Sequence, residues 1–356
     1  MGTLTRMSDD SLGLSPGPAL RATLLTEAAI PLCDLVRPLA NGYWAAPSPR
    51  EVLLLDPELQ VVSRFPIPEE LTYRPSDSDE AIRVDVSPDH KWVVLAGTDC
   101  MMVVDPTGHV AWRTTYAPFR DAGGDPVPAC AVFSPDSSEL WAFVPTLGPS
   151  SDDDWVDDAE RWVVETSDWH VTAMAETRYR GITDITVHPD RQQLGFAYFN
   201  GHEPDGTWTT WHDNAEGAPT QGGWFPLDIS ADGHRWLGGT WHDIVVGDFT
   251  GTTIRLNEDG HWDDWEFTPG ACFVSPVHVL VAGRHDNKKY RHLVFSTDTL
   301  EPMGYIAYPM PFPDEHDTES ARSHSDGTWL TMHIPGYARP DEGRIRRWAL
   351  AGTTDV

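Results

Sequence analysis

Lysine is almost absent. Only Lys91, Lys288 and Lys289 occur among 356 residues, so the 25 basic side chains are nearly all arginine, and they stand against 55 carboxylates for a net charge of −30. No five-to-eight-residue stretch is rich in Lys or Arg, and a surface of this sign repels phosphate. Nucleic acid and anionic membranes are therefore not the expected partners, and basic ones are. The chain also lacks the 18 consecutive apolar residues that would cross a bilayer. Residues 1–20, with Asp9 and Asp10 among several Gly and Pro, hold no apolar stretch of signal-peptide length. Four cysteines, Cys33, Cys100, Cys130 and Cys272, form no CxxC pair, and no Asn-x-Ser/Thr acceptor occurs. Buried free thiols and a cytoplasmic location are the expectation. Phosphate-binding GxxxxGK[ST], zincin HExxH and dinucleotide GxGxxG patterns are missing as well, so no cofactor and no metal is expected.

What is present supports a large core: 40% hydrophobic residues and 16 Trp, too apolar a composition for a disordered chain. A repeat organises it. Short β-rich runs end in a tight polar turn at VDVSPDH (84–90), AVFSPDS (131–137), ITVHPDR (185–191), LDISADG (227–233), CFVSPVH (272–278) and ARSHSDG (321–327). The Ser or His that opens each turn stands at 87, 134, 188, 230, 275 and 325, steps of 42 to 54 residues. A second run follows each turn, for example KWVVLAG (91–97) or ELWAFV (139–144). Alternation of Val, Trp, Phe and Leu with small or polar residues has the period of strands, and Pro-Asp or Asp-Gly supplies the reversal. Third strands such as MMVVDPTGHV (101–110) and fourth strands such as TTIRLN (252–257) complete four-stranded units.

Four antiparallel strands recurring every 40–50 residues describe the blade of a β-propeller. On its repeated Ser-Pro-Asp turn the chain resembles the WD40-like and YVTN-like propeller superfamily over nearly its whole length, though the Trp-Asp and Gly-His signatures of strict WD40 repeats are not at their places. The expected fold is all-β, a seven-bladed propeller of four antiparallel strands per blade. A first blade reads DLVRPLANGYWAAP (34–47) and EVLLLDPELQVVSRF (51–65), and PALRATLLTE (18–27) supplies the outer strand that the last blade lacks. Residues 1–17 are expected to be a flexible segment and 18–356 a single domain. The fourth blade draws its outer strands from the Gly-rich stretch 206–223.

Connections between strands one and two and between three and four fall on one face and are short. The opposite face receives the long segments 146–159, 200–207, 239–243, 283–291 and 334–344 within blades and 66–80, 117–128, 259–270 and 309–320 between them. Loops on a rigid scaffold are where binding residues gather. The candidate face comprises Asp153, Asp154, Trp155, His202, Trp208, Trp241, His242, Asp243, Trp262, Asp263, Asp264, Trp265, His285 and His316. A ring flanked by carboxylates suits a basic peptide or organic cation. By contrast Trp92, Trp141, Trp236 and Trp329 occupy equivalent second strands and belong to the core.

Chemical patterns are thinner. GLSPG (13–17) fits Gly-x-Ser-x-Gly but lacks the strand and helix that a nucleophile elbow needs around Ser15. SDDDWVDD (151–158) is out of register for an EF-hand and reads as a solvated acidic loop. The resemblance implies an interaction platform, so the expectation is a non-catalytic module binding a protein, peptide or cationic partner. The alternative is a propeller enzyme that uses His and Asp of the same loops on a small cationic or aromatic substrate at the central depression.

Overall fold

The recurring turn is closed by its own side chains. In the computed structural model of the chain, Ser87 Oγ donates to Asp89 Oδ1 at 2.7 Å, Ser134 Oγ to Asp136 Oδ1 at 2.8 Å and Ser230 Oγ to Asp232 Oδ1 at 2.6 Å. The same serine oxygens accept the backbone N–H of Trp92, Glu139 and Arg235, where the next strand begins. Polar groups stranded by the reversal are thereby satisfied, which is why Ser and Asp recur two residues apart. In the last repeat the register lies one residue before Ser325. His324 takes the place of the serine, its N–H bonding Thr328 O at 2.8 Å and its ring standing 2.9 Å from Asp326 Oδ1.

The structure describes residues 17–32, 36–71, 82–116, 119–120, 126–145, 159–176, 184–187, 193–200, 203–210, 224–240, 243–256, 265–267, 270–285, 291–310, 321–324, 326–333 and 343–351. Among these there is no α-helix, and no helix is long and apolar enough to cross a membrane. Strand β1 (Ala19–Ala29) precedes a first meander of β2 (Arg37–Pro38), β3 (Trp44–Pro47), β4 (Glu51–Leu55) and β5 (Val61–Pro66). The second is β6 (Arg83–Val86), β7 (Val93–Ala96), β8 (Cys100–Val104) and β9 (Val110–Thr115). A small hairpin of β10 (Phe119–Arg120) and β11 (Pro126–Val127) leads to the third, β12 (Cys130–Phe133), β13 (Glu139–Pro145), β14 (Ala159–Glu165) and β15 (His170–Glu176). The fourth shows three strands, β16 (Asp184–Val187), β17 (Gln193–Asn200) and β18 (Glu203–Thr210). The fifth is β19 (Phe225–Ile229), β20 (Arg235–Gly239), β21 (Ile244–Asp248) and β22 (Thr253–Arg255). After β23 (Trp265–Phe267), the sixth runs β24 (Cys272–Ser275), β25 (His278–His285), β26 (Arg291–Ser296) and β27 (Pro302–Ala307). Last come β28 (Ala321–Ser323), β29 (Trp329–His333) and β30 (Arg344–Leu350).

Apolar layers between successive meanders form the core. Val52, Leu54 and Phe65 of the first pack with Val86, Leu95 and Met102 of the second. Val94 and Met101 meet Phe133 and Leu140, and Trp141 and Phe143 meet Leu194 and Phe196. Trp208 joins Ile229 and Trp236, Leu237 and Val246 join Val279 and Phe295, and Leu280 and Val294 join Trp329 and Trp348. Leu330, Met332 and Ile345 of the last meander share a cluster with Trp44, Leu53 and Leu55 of the first. Each meander thus buries both faces against neighbours, as a twisted four-stranded sheet with two apolar faces requires. Side-chain-to-backbone hydrogen bonds cross the same seams. Asp85 Oδ2 accepts Phe133 N–H and Asp228 Oδ2 accepts Phe273 N–H, both at 2.8 Å, from equivalent positions of β6 and β19.

Strand β1 joins two meanders. Ala22–Ala29 pair antiparallel with β30, while Ala19–Arg21 pair parallel with Tyr305–Ala307 of β27. The crossing is tight at Gly304, where a Cβ would lie 2.2 Å from Pro18 O and the backbone has φ +153°. Arg346 Nε donates to Glu27 at 2.5 Å and Arg347 Nη1 to Pro57 O at 2.7 Å, tying the last meander to β1 and to the first.

Two expected loops are partly strand. The segment 200–207 is not a long connection: β17 and β18 pair through to Asn200 opposite Glu203, so only two residues separate the strands. The third strand of the fourth meander is therefore 203–210, earlier than the sequence pattern placed it. Within 259–270, β23 pairs with the far half of β25, Trp265 opposite His285 and Phe267 opposite Gly283. That eight-residue strand outruns β24 and must satisfy its remaining backbone groups on another partner. The described cysteines, Cys100, Cys130 and Cys272, are free and buried as expected.

Candidate functional site

Several of the short turns carry an aspartate whose placement follows from turn chemistry. Asp105 Oδ1 accepts the N–H groups of Thr107 and His109 and the Thr107 hydroxyl. Asp248 does the same for Thr250 and Thr252. Asp56 accepts from the backbone of Glu58 and Gln60. Hydrogen bonds to the charged form hold Asp105 and Asp248 ionised. The Thr107 hydroxyl lowers Asp105, Ser138 lowers Asp136, Ser230 lowers Asp232 and Thr250 lowers Asp248. At Asp89 and Asp326 burial opposes ionisation, but donors from Lys91 and Ser87, and from His324 and Thr328, outweigh it. The carboxylates of these turns are thus an outcome of building them.

Between the inner strands one carboxylate behaves in the opposite way. Burial pushes Asp228 up to about 6, against hydrogen bonds from Phe273 N–H and Ser323 and the charge of Arg322. The residue keeps some solvent contact, yet protein encloses its carboxylate, and enclosure dominates. The adjoining Cys272 thiol is raised far above its ordinary value by burial and then by Asp228, so it is not a nucleophile at neutral pH.

Of the residues on the expected loop face, Asp153, Asp154, Trp155, His202, Trp241, His242, Trp262, Asp263, Asp264 and His316 lie outside the described residues, as does the side chain of His285. Three are described. Asp243 is bound to Arg255, Oδ2 accepting from Nε at 2.9 Å and Nη2 at 2.6 Å. Trp208 and Trp265 are buried at 5% and 4% exposure, so neither is an exposed anchor. The cause is strand position: Trp208 is opposite Gly195 on β17, where a Cβ would come within 2.5 Å of the indole. A glycine facing a Trp across a ladder is the signal that could have marked this burial. Core Trp141, Trp236 and Trp329 are buried as expected.

One hairpin escaped the sequence reading. Glu165, Asp168 and His170, at the β14–β15 turn, bring donor atoms within 4.8 Å of one another and are exposed. Its mark in the sequence was an Asp-x-His beside a Glu at a strand reversal.

No protein-family model matches the chain, and no curated protein matches it. Among solved structures it is similar to the Cps50 (Swd1) β-propeller domain of Myceliophteria thermophila, with TM-score 0.54 and 11% identity over 93% of this chain and 100% of that one. It is also similar to a chain of the Mitotic Checkpoint Complex, with TM-score 0.55 and 12% identity over 94% and 97%. Identities this low carry fold alone, and the fold they carry is the β-propeller.

Proposed function

We propose that the chain is a non-catalytic propeller platform that binds a basic protein or peptide through its long-loop face. In this reading the ring has seven blades and β1 closes it by completing the last sheet, a count supported by the shared core of the first and last meanders and by the β1–β30 ladder. The observation that carries the reading is a propeller scaffold bearing a net charge of −30. The described short-turn aspartates are engaged by their own turns, so the reading rests on Asp153, Asp154, Asp263 and Asp264 of the segments 146–159 and 259–270. With Trp208 and Trp265 in the core, the aromatic anchors of this face reduce to Trp155, Trp241 and Trp262. One similar structure comes from a multiprotein complex, which favours a protein as the partner class.

The test is capture of the full chain on an immobilised lysine-rich peptide across a salt series. Charge reversal of Asp263 and Asp264 together is expected to weaken capture and flatten its salt dependence, since screening acts on the charges removed. Capture that is absent in the wild type, or unchanged in the double variant, overturns the proposal.

A further inference from the structure

We propose that Glu165, Asp168 and His170 form a surface site for a divalent ion of borderline softness, zinc(II) or a neighbouring transition metal. Glu165 ends β14 and His170 begins β15, and the two are directly paired across the ladder, so their side chains leave the same face. Asp168 stands in the turn between them. The hairpin is fixed independently of the three ligands: Trp169 N–H donates to Glu165 O at 2.9 Å, and the Trp169 indole lies edge-on to Trp92 at 5.0 Å in the second meander. Thr166 donates from its N–H to Ser138 O at 2.9 Å and from its hydroxyl to Ser137 O at 2.7 Å, pinning the turn to its neighbour.

The comparison with equivalent turns sets this one apart. In the second and fifth meanders the first turn residue is Asp105 or Asp248, and its carboxylate is occupied by two backbone N–H groups and a threonine hydroxyl. In the third meander Glu165 holds that place, and of the described donors only the Ser167 hydroxyl, at 3.1 Å, bonds its carboxylate. The partner of Asp168 is the imidazole of His170, not a hydroxyl, and His170 Nε2 lies 3.9 Å from Glu165 Oε2. Two carboxylates and an imidazole thus face one another where the hairpins of the second and fifth meanders have finished turn caps.

The donor set selects the ion. An imidazole ligand favours zinc, copper, nickel or cobalt, whereas calcium and magnesium prefer oxygen alone. Ligands of a tetrahedral zinc at about 2.0–2.2 Å stand roughly 3.4 Å apart. Donors spanning at most 4.8 Å reach that spacing by side-chain rotation, which exposed residues allow. Water fills the remaining position. This inference is independent of the basic partner proposed above.

Calorimetric titration of the full chain with zinc chloride tests it, beside His170→Ala, Glu165→Gln and, on the neighbouring hairpin, His109→Ala. Wild type and His109→Ala are expected to share one zinc site. His170→Ala and Glu165→Gln are expected to weaken it on the order of tenfold to a hundredfold, the loss seen when even supporting groups of a metal site are removed. Calcium is expected to leave no comparable isotherm. An unchanged zinc isotherm in His170→Ala, no uptake by the wild type, or calcium binding as tight as zinc each overturns the proposal.

Discussion

Asp228 makes the fold sensitive to pH in the direction opposite to ordinary acid denaturation. Its carboxyl titrates near 3.8 when unfolded and at about 6 in the fold, because burial penalises the ion. Between those values the native state binds the proton more tightly, so this group's contribution to stability falls as pH rises from about 4 to 6 and stays low above that. Integrating the two titrations gives a loss of roughly 2 kcal/mol between pH 4.5 and 7.5, an upper figure given the residue's solvent contact. Asp228→Asn removes the titration while its amide oxygen can still accept the Phe273 N–H. Denaturant unfolding of wild type and variant at pH 4.5, 5.5, 6.5 and 7.5 isolates the effect, since every other titrating group is common to both. The variant is expected to gain on the wild type as pH rises, by up to about 2 kcal/mol over the series. A stability difference that is flat with pH, or that moves the other way, refutes the argument that enclosure dominates at this site.

Asp326 gives the mirror-image result. Donors from His324, Thr328 and Arg347 hold its carboxylate ionised, so its stabilisation is present above about pH 4 and is lost as pH falls below that. Asp326→Asn is expected to lower stability at pH 7 on the order of 1–2 kcal/mol and to converge with wild type towards pH 2, read by thermal melts at both values. Gly304→Val places a side chain against Pro18 O and is expected to cost about 2–4 kcal/mol and to free the start of β1. Tryptic cleavage at Arg21, within the β1–β27 ladder, then accelerates; an unchanged rate counts against the tight crossing.

The meanders were legible because one local device, a Ser two residues before an Asp, closes turn after turn and leaves its mark at Ser87, Ser134 and Ser230. Where another residue fills the role, as His324 does, the pattern slips by one. The β1 partner was legible too, since a sheet short of a strand at one end and a strand without a sheet at the other imply each other. The loop face was less so. Trp265 and Trp208 look like loop aromatics because Gly, Asp and Pro surround them, and only cross-strand register shows that β23 and β18 carry them inward. The Glu165 hairpin was hidden for a related reason: convergence of three donors depends on which residues stand opposite in a ladder, and spacing along the chain does not state it.

Strand β1 has a consequence for the order in which the molecule is completed. Glu27 and its partner Arg346 are 319 residues apart, so β1 waits for a partner strand made much later and is among the last strands to find its place. Contacts of such separation form slowly, and until they do the edges of β27 and β30 stand open to any other extended chain. A translation product that stops short of residue 344 keeps β1 without its principal neighbour, and quality-control machinery is expected to meet it as an unfinished fold.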